Sequence, residues 1–218
     1  MEWSIGNANL AGREGRWRVE IAGGRIAAVR EEPSSASGIA AATHDASGRL
    51  LSPGFVDPHV HVDKTLTADR VGDAVAALDL AAAIRAVRQL KAAFTVEDVA
   101  ARARRALEMG LAHGTTTTAR TNCEADPFVG MNAVHGVQAA ARQLAGRVDL
   151  QIIAFPQEGW FATPDRIEGG AAPFIEEALA AGVRIVGGNV NRRVWPSNPE
   201  HQVDASFALA ARYDCDID

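Results

Sequence analysis

Two histidines separated by a single residue are the part of the sequence best suited to bind a metal ion. The sequence Pro-His-Val-His-Val-Asp-Lys occupies residues 58–64. Alternate side chains of a strand point to the same side, so His59, His61 and Asp63 would share one face. Two imidazoles a few ångströms apart are suitable ligands for a divalent metal. We therefore predict a metal site at His59 and His61, with Asp63 and Lys64 in the shell behind the ligands.

Each of these assignments has an alternative. A His-x-His motif can arise by chance or form a hydrogen-bonded pair, because motifs this short are often false positives. Its predicted location at the end of a strand favours the metal site. For Asp63 the alternative is an ordinary surface ion pair.

From about residue 50 onwards, strands and helices alternate along the chain. The predicted strands are 51–62, 115–119, 148–155 and 183–186, with another starting near Cys215. The predicted helices are 73–92, 95–113, 131–145, 167–181 and 200–213. This alternation indicates βα units with parallel strands, and the mostly apolar strands indicate burial on both faces.

The number of βα units suggests an incomplete barrel. We find about four units and the start of a fifth strand, whereas a (β/α)8 barrel has eight in about 250 residues. We predict the α/β class, with residues 51–218 as the N-terminal part of a TIM-like barrel that is truncated at Asp218. An open α/β sheet is the alternative. Residues 1–50 are predicted to be a small β-sandwich segment, with a hairpin turn at Gly23-Gly24.

The composition narrows the possible partners. The 218 residues are 47% hydrophobic and 22% charged, which is typical of a globular protein. A net charge of -5 argues against a nucleic-acid partner. No signal peptide or apolar run of about 20 residues is found, which predicts a cytoplasmic protein without a membrane span. The two cysteines, Cys123 and Cys215, are expected to be free thiols.

Four stretches of the sequence resemble the amidohydrolase superfamily, in particular its cytosine-deaminase-like members and the hydrolases of aminotriazines and cyclic amides. The most specific stretches are 52–65, around the two histidines, and 149–159, which contains Phe-Pro-Gln-Glu-Gly. Residues 95–103 and 114–121 are also similar. The resemblance implies one divalent metal, zinc or iron, bound by His59 and His61.

The resemblance also implies the reaction and the substrate contacts. The metal would lower the pKa of a water to near neutrality, and the ring carbon that bears the amino group would be attacked. Gln157 would bind the amide or ring edge of a small heterocyclic substrate. Asn122 is expected to line the same pocket. Because cytosine deaminase has histidine at that position, we expect a substrate other than cytosine itself.

Several of the family's site residues have no counterpart in the sequence. The third metal-binding histidine, the acid/base glutamate of a His-x-x-Glu motif and a metal-binding aspartate are expected beyond Asp218. We therefore assign no catalytic acid or base within the chain.

The expected function is that of a metal-dependent hydrolase of non-peptide carbon–nitrogen bonds in a pyrimidine- or triazine-like ring. The alternative is a truncated, inactive chain that binds metal weakly or self-associates. We also expect a homo-oligomer, because a partial barrel exposes a parallel edge and apolar surface.

Overall fold

The protein divides into two compact units. The computed structural model describes residues 3–33, 43–71, 80–160, 170–188 and 199–218. The units are Met1–Gly54 and Phe55–Asp218. A small sheet makes up the first unit, and a parallel sheet with its helices makes up the second.

In the part of the first unit that the structure describes, five strands form one sheet. They are β1 (Trp3–Leu10), β2 (Arg16–Ala22), β3 (Arg25–Glu32), β4 (Thr43–Asp45) and β5 (Leu50–Leu51). β1 pairs antiparallel with β2 and parallel with β4 and β5. The predicted hairpin joins β2 to β3, where Gly23 and Gly24 have φ of +57° and +73°. Such a turn favours glycine because it needs positive φ at both central residues. A second sheet is not found among the described residues of this unit, so the sandwich stays a prediction.

The second unit contains a parallel sheet whose strands follow one another in sequence order. They are β6 (Phe55–Asp57), β7 (Thr115–Glu124), β8 (Asp149–Phe155), β9 (Ile185–Val186) and β10 (Asp216–Ile217). The described residues of the connections form the helices α1 (Ala68–Val71), α2 (Leu80–Lys91), α3 (Val96–Ala112), α4 (Asn132–Gln143), α5 (Ala172–Ala180) and α6 (Pro199–Tyr213). The predicted α/β class with a parallel sheet is confirmed, whereas the count of barrel units stays a prediction.

The strand predicted at 51–62 is much shorter in the structure. β6 covers only Phe55–Asp57, and Val60 then forms a single bridge to Thr121. Pro58 interrupts the ladder because it has no N–H to donate. The helix predicted at 167–181 begins at Ala172. Residues 72–79, 161–169 and 189–198, which include parts of two predicted helices, lie outside the described residues.

Helices α3 and α4 pack closely against each other. Thr95 caps α3, since its side chain accepts a hydrogen bond from the Asp98 N–H. A Cβ added at Gly136 of α4 would lie 2.6 Å from the Cβ of Val99. Glycine therefore lets the two helices approach. The core between helices and sheet contains Val99, Ala103, Leu107, Cys123, Val134, Val137, Ala140, Ala154, Ile175 and Leu179.

Candidate functional site

One face of the second unit's sheet carries the predicted site residues. Val62, Cys123 and Ala154 belong to the core under the helices. Strand alternation therefore directs their neighbours to the opposite face. On that face Asn122 pairs with Ile153, and Glu124 pairs with Phe155. We call this the His61 face, because the His61 ring packs against Phe155 with 5.6 Å between ring centroids.

The two predicted metal ligands lie side by side. The ring centroids of His59 and His61 are 5.3 Å apart, and the rings meet edge to face at 81°. His59 is exposed, and its backbone N–H donates to Oδ1 of Asp57 at 3.2 Å. This contact steadies the chain at the point where β6 ends. The structure thus brings both histidines to the carboxyl end of the first strand of the parallel sheet.

His61 has the properties of a neutral ligand. Burial, together with the nearby charge of Lys64, lowers the pKa of His61 to about 4. At neutral pH its imidazole is therefore uncharged and keeps a lone pair. Its Nδ1 is buried and makes no hydrogen bond. A buried polar atom without a partner is costly, so this atom is suited to a ligand that satisfies it.

Lys64 and Gln157 also come together. Nζ of Lys64 donates to Oε1 of Gln157 at 3.1 Å and forms an ion pair with Glu124. An ammonium group has no acceptor, so it must meet the oxygen of the carboxamide and not the nitrogen. The contact thus fixes which end of the Gln157 amide faces Lys64 and leaves the nitrogen as its donor group.

The carboxylate of Asp63 binds backbone N–H groups. Its side chain is buried, and its two oxygens accept from the backbone N–H groups of Lys64 and Glu124, both at 3.0 Å. Burial and the neighbouring Glu124 raise its pKa. Arg102 of α3 holds the following turn, because it donates to the carbonyls of Asp63 and Thr65 at 2.8 and 2.9 Å. These contacts fix the segment directly after His61.

Asn122 contributes a buried acceptor. The residue is 3% exposed, and its Oδ1 makes no hydrogen bond. Asn122 lies on the His61 face, and its place in a pocket wall stays a prediction. By contrast, Cys123 points into the core, where burial raises the pKa of its thiol well above the usual range. It is a protonated, free thiol.

A group of ionic side chains that the sequence did not reveal lies beside these residues. Three carboxylates, from Glu124, Asp126 and Glu158, have oxygens within 4.8 Å of one another. That spacing could hold a cation, and the cation present is the ammonium of Lys91, at 2.5, 2.6 and 2.8 Å from them. Burial alone would lower the pKa of Lys91, but Glu124 and Asp126 outweigh it and raise the pKa. We call these four residues the Lys91 cluster.

The Lys91 cluster had only a weak signal in the sequence. Its acids lie at or just after the ends of two adjacent strands, β7 and β8, and its lysine ends an Ala/Leu-rich helix. Residues at the carboxyl ends of neighbouring parallel strands lie close together, so this placement could have identified the acids. The sequence around Lys91 does not indicate that its side chain contacts these carboxylates.

Known proteins share this arrangement of elements, although no family model matches the chain. The N-isopropylammelide isopropyl amidohydrolase of Pseudomonas sp. (strain ADP) is 31% identical over 98% of this chain and 51% of its own length. The crystal structure of 5-methylcytosine deaminase from Klebsiella pneumoniae, liganded with 5-fluorocytosine, has a TM-score of 0.83 and 29% identity over 98% of this chain and 50% of that one. The zinc complex of atrazine chlorohydrolase from Arthrobacter aurescens TC1 has a TM-score of 0.66 over 98% and 51%. At 16% identity it supports the fold alone.

The parallel sheet with histidines at its first strand end is shared with a class of hydrolases. The relatives and solved structures that match the chain are amidohydrolases and deaminases, in agreement with the resemblance found in the sequence. It spans about half the length of the curated relatives it matches. Among the described residues, no helix is long and apolar enough to cross a membrane.

Proposed function

We propose that the chain supplies the first metal ligands and part of the pocket of a hydrolase that cleaves carbon–nitrogen bonds in a nitrogen heterocycle. The observation that carries the proposal is the buried, unpaired Nδ1 of His61 on the face that also holds Asn122. The matched relatives with known activity are named as hydrolases or deaminases of ring compounds. The whole protein's activity on such a ring is the prediction that follows.

His59 and His61 are the proposed ligands of one divalent metal, zinc or iron. The residues fit this role because the His61 imidazole is neutral at pH 7 and its neighbour lies 5.3 Å away, centroid to centroid. A metal bound here supplies Lewis-acid activation of water. Catalytic metal sites use three or more protein ligands, so further ligands must come from elsewhere in the whole protein.

Gln157 and Asn122 are the proposed substrate contacts, with Lys64 and Asp63 holding them and the histidines in place. Gln157 would donate a hydrogen bond through its amide nitrogen, because the contact with Lys64 directs its Oε1 towards the ammonium group. Asn122 would accept one, because its buried Oδ1 has no partner. A cyclic amide presents a carbonyl acceptor and an N–H donor, so this class of ring matches both groups.

The test is metal binding and ring hydrolysis by the whole protein and its histidine variants. We expect zinc to bind with 1:1 stoichiometry and to support release of ammonia or amine from cytosine- or ammelide-type rings. His61→Gln should weaken zinc binding about 10- to 100-fold or more and abolish release. His201→Gln, at an exposed histidine of α6, is the matched control and should leave both unchanged.

Two results would overturn the proposal. Full zinc affinity in the His59→Gln, His61→Gln double variant would place the metal elsewhere. Zinc binding through the two histidines without hydrolysis of any ring would favour the alternative, an inactive metal-binding chain. The cytoplasmic location and the self-association stay predictions, and sedimentation of the purified protein tests the second.

A further inference from the structure

We propose that Lys91 is a positioning residue that fixes the side-chain amide of Gln157. The proposal rests on the proposed role of Gln157 as a substrate contact. It assigns a part in recognition to a residue that lies in the Lys91 cluster and touches neither proposed metal ligand.

The ammonium group of Lys91 is held in one buried position by its contacts. Its side chain is 2% exposed at the end of α2, and its Nζ contacts Glu124, Asp126 and Glu158 within 2.8 Å. An ammonium group has three N–H donors, and each carboxylate takes one. The lysine therefore ties α2 to the ends of both β7 and β8.

Two routes connect Lys91 with Gln157. On the first, one oxygen of Glu124 contacts Lys91 and the other contacts Lys64, whose Nζ donates to Oε1 of Gln157. On the second, Lys91 holds Glu158, the residue directly after Gln157 in the turn that follows β8. The side chain and the backbone of Gln157 are thus restrained by the same buried charge.

The turn itself is closed by short backbone contacts. The N–H of Gln157 donates to the carbonyl of Phe155 at 3.1 Å, and the N–H of Gly159 donates to that of Pro156 at 2.9 Å. Arg88, also on α2, binds the second oxygen of Glu158. Both oxygens of Glu158 therefore hold this turn against α2.

Stability alone does not explain this arrangement. A buried ion cluster is often no more stabilising than an apolar cluster of the same volume, because desolvation offsets the attraction. The ion cluster fixes the positions of its side chains, and through Glu124 and Lys64 it also fixes the position of the Gln157 amide. The chain contains 22 Lys and Arg residues, of which only residues 64 and 91 are lysine. Both lysines belong to the chain of contacts that leads to Gln157. The compact ammonium group of lysine fits between closely spaced acceptors there.

The consequence for substrate choice is a preference for acceptors. With its oxygen directed at Lys64, the Gln157 amide has a fixed orientation, in which its nitrogen is the group that donates to a ring. Rings with a carbonyl or an unprotonated nitrogen at this place are favoured. Rings that present an N–H there leave donors facing each other and are disfavoured.

The experiment compares Asp126→Asn with the double variant Asp126→Asn, Lys91→Met in the whole protein. The double variant loses one cation together with one anion, and it keeps Glu124 with Lys64 and Glu158 with Arg88. The carboxamide oxygen that replaces the carboxylate at position 126 can still accept the backbone N–H groups of Phe128 and Val129. Both proteins should therefore fold, which thermal unfolding confirms before any other measurement.

The first readout is the order of the Gln157 side-chain amide by ¹⁵N relaxation. We expect its order parameter to fall in the double variant and to stay at the wild-type value in Asp126→Asn. The second readout is the affinity for cyanuric acid, a triazine with ring carbonyls and no exocyclic amine to lose. Removal of Lys91 should weaken it about 5- to 10-fold when Gln157 is present, and less than about 2-fold in a Gln157→Ala background.

The outcomes separate the two proposals. An unchanged amide order parameter, or an equal loss of affinity with and without Gln157, would overturn the role of Lys91. If the wild-type protein binds no ring compound, the proposed function fails, and the amide relaxation alone still decides whether Lys91 positions Gln157.

Discussion

The His61 face carries two neighbouring polar groups that differ in how completely their atoms are paired. In the Lys91 cluster, each charged group has an opposite charge within hydrogen-bond distance. In the histidine pair, His61 keeps a buried Nδ1 without a partner, and Asn122 nearby keeps an unpaired Oδ1. The charges of the Lys91 cluster are paired by residues of the chain itself. The unpaired atoms of His61 and Asn122 are suited to a bound metal or substrate.

This difference in pairing indicates which region contributes to folding stability and which to ligand binding. A paired buried charge becomes very costly when its partner is removed, because the remaining charge stays in a poorly solvated place. An unpaired buried polar atom already lowers stability, so its removal costs little. The cluster should therefore be sensitive to substitution in folding, and the histidines should be sensitive in ligand binding.

The largest expected effect comes from breaking the Lys91 cluster. Lys91→Met leaves three buried carboxylates short of one cation, and we expect a loss of about 3–5 kcal/mol in the free energy of unfolding. Urea denaturation at pH 7.5 measures it. The control is Arg104→Met, which breaks the exposed pair with Glu108 and should cost less than about 1 kcal/mol. If both variants lose the same free energy of unfolding, the buried cluster is no more important for folding than an exposed ion pair.

The next effect is the pH dependence of the metal-free protein. The pKa of His61 is about 4 in the fold and 6.5 in the unfolded chain, so the unfolded chain binds more protons between these values. The contribution of His61 to stability should therefore be full above pH 6.5 and be lost as the pH decreases towards 4, by about 3 kcal/mol at most. Thermal unfolding of the wild type and of His61→Gln checks this. A variant with the same slope as the wild type would exclude His61 as the cause.

A smaller effect is expected where α3 supports the segment after His61. Arg102→Lys keeps the charge but loses the planar fork that reaches Asp98 and two backbone carbonyls together. We expect a loss of about 1–3 kcal/mol and faster hydrogen exchange at the N–H groups of Lys64 and Glu124. Arg104→Lys on the same helix is the control. If exchange at these two amides does not change, Arg102 does not hold the segment.

The smallest effect on folding should come from the histidine itself. His61→Leu removes the unpaired ring nitrogen and keeps an apolar side chain beside Phe155, so unfolding should change by less than about 1 kcal/mol at pH 7.5. The same variant should lose zinc binding. A loss of stability as large as that of Lys91→Met would show that the two regions do not differ in this way.

Features set by neighbouring residues were predictable from the sequence. The turn at Gly23-Gly24 needs two residues with positive φ, and the helix start at Thr95 needs a side-chain acceptor. The same holds for the predicted alternation of strands and helices, since periodicity is a local property. The placement of His59 and His61 side by side also follows from their spacing. The strand predicted through Pro58 was wrong because proline has no N–H for the ladder, which is also a local property.

The Lys91 cluster could not be predicted in this way. Lys91 is 33, 35 and 67 residues from its three carboxylates, so the contacts exist only after the sheet and α2 have packed. A lysine at the end of a helix is usually solvated, and a pattern cannot distinguish that case from a buried ion pair. The hydrogen bond between Lys64 and Gln157 spans 93 residues and has the same origin.

The scarcity of lysine has a practical consequence for chemical modification. This chain has two side-chain amines, one of them 2% exposed and the other paired with Glu124. An acylating reagent at neutral pH should therefore leave Lys91 intact in the folded protein and modify it as soon as α2 separates from the sheet. Because trypsin does not cleave after an acylated lysine, mass spectrometry of the peptide that spans residue 91 would then report opening of the Lys91 cluster without any introduced label.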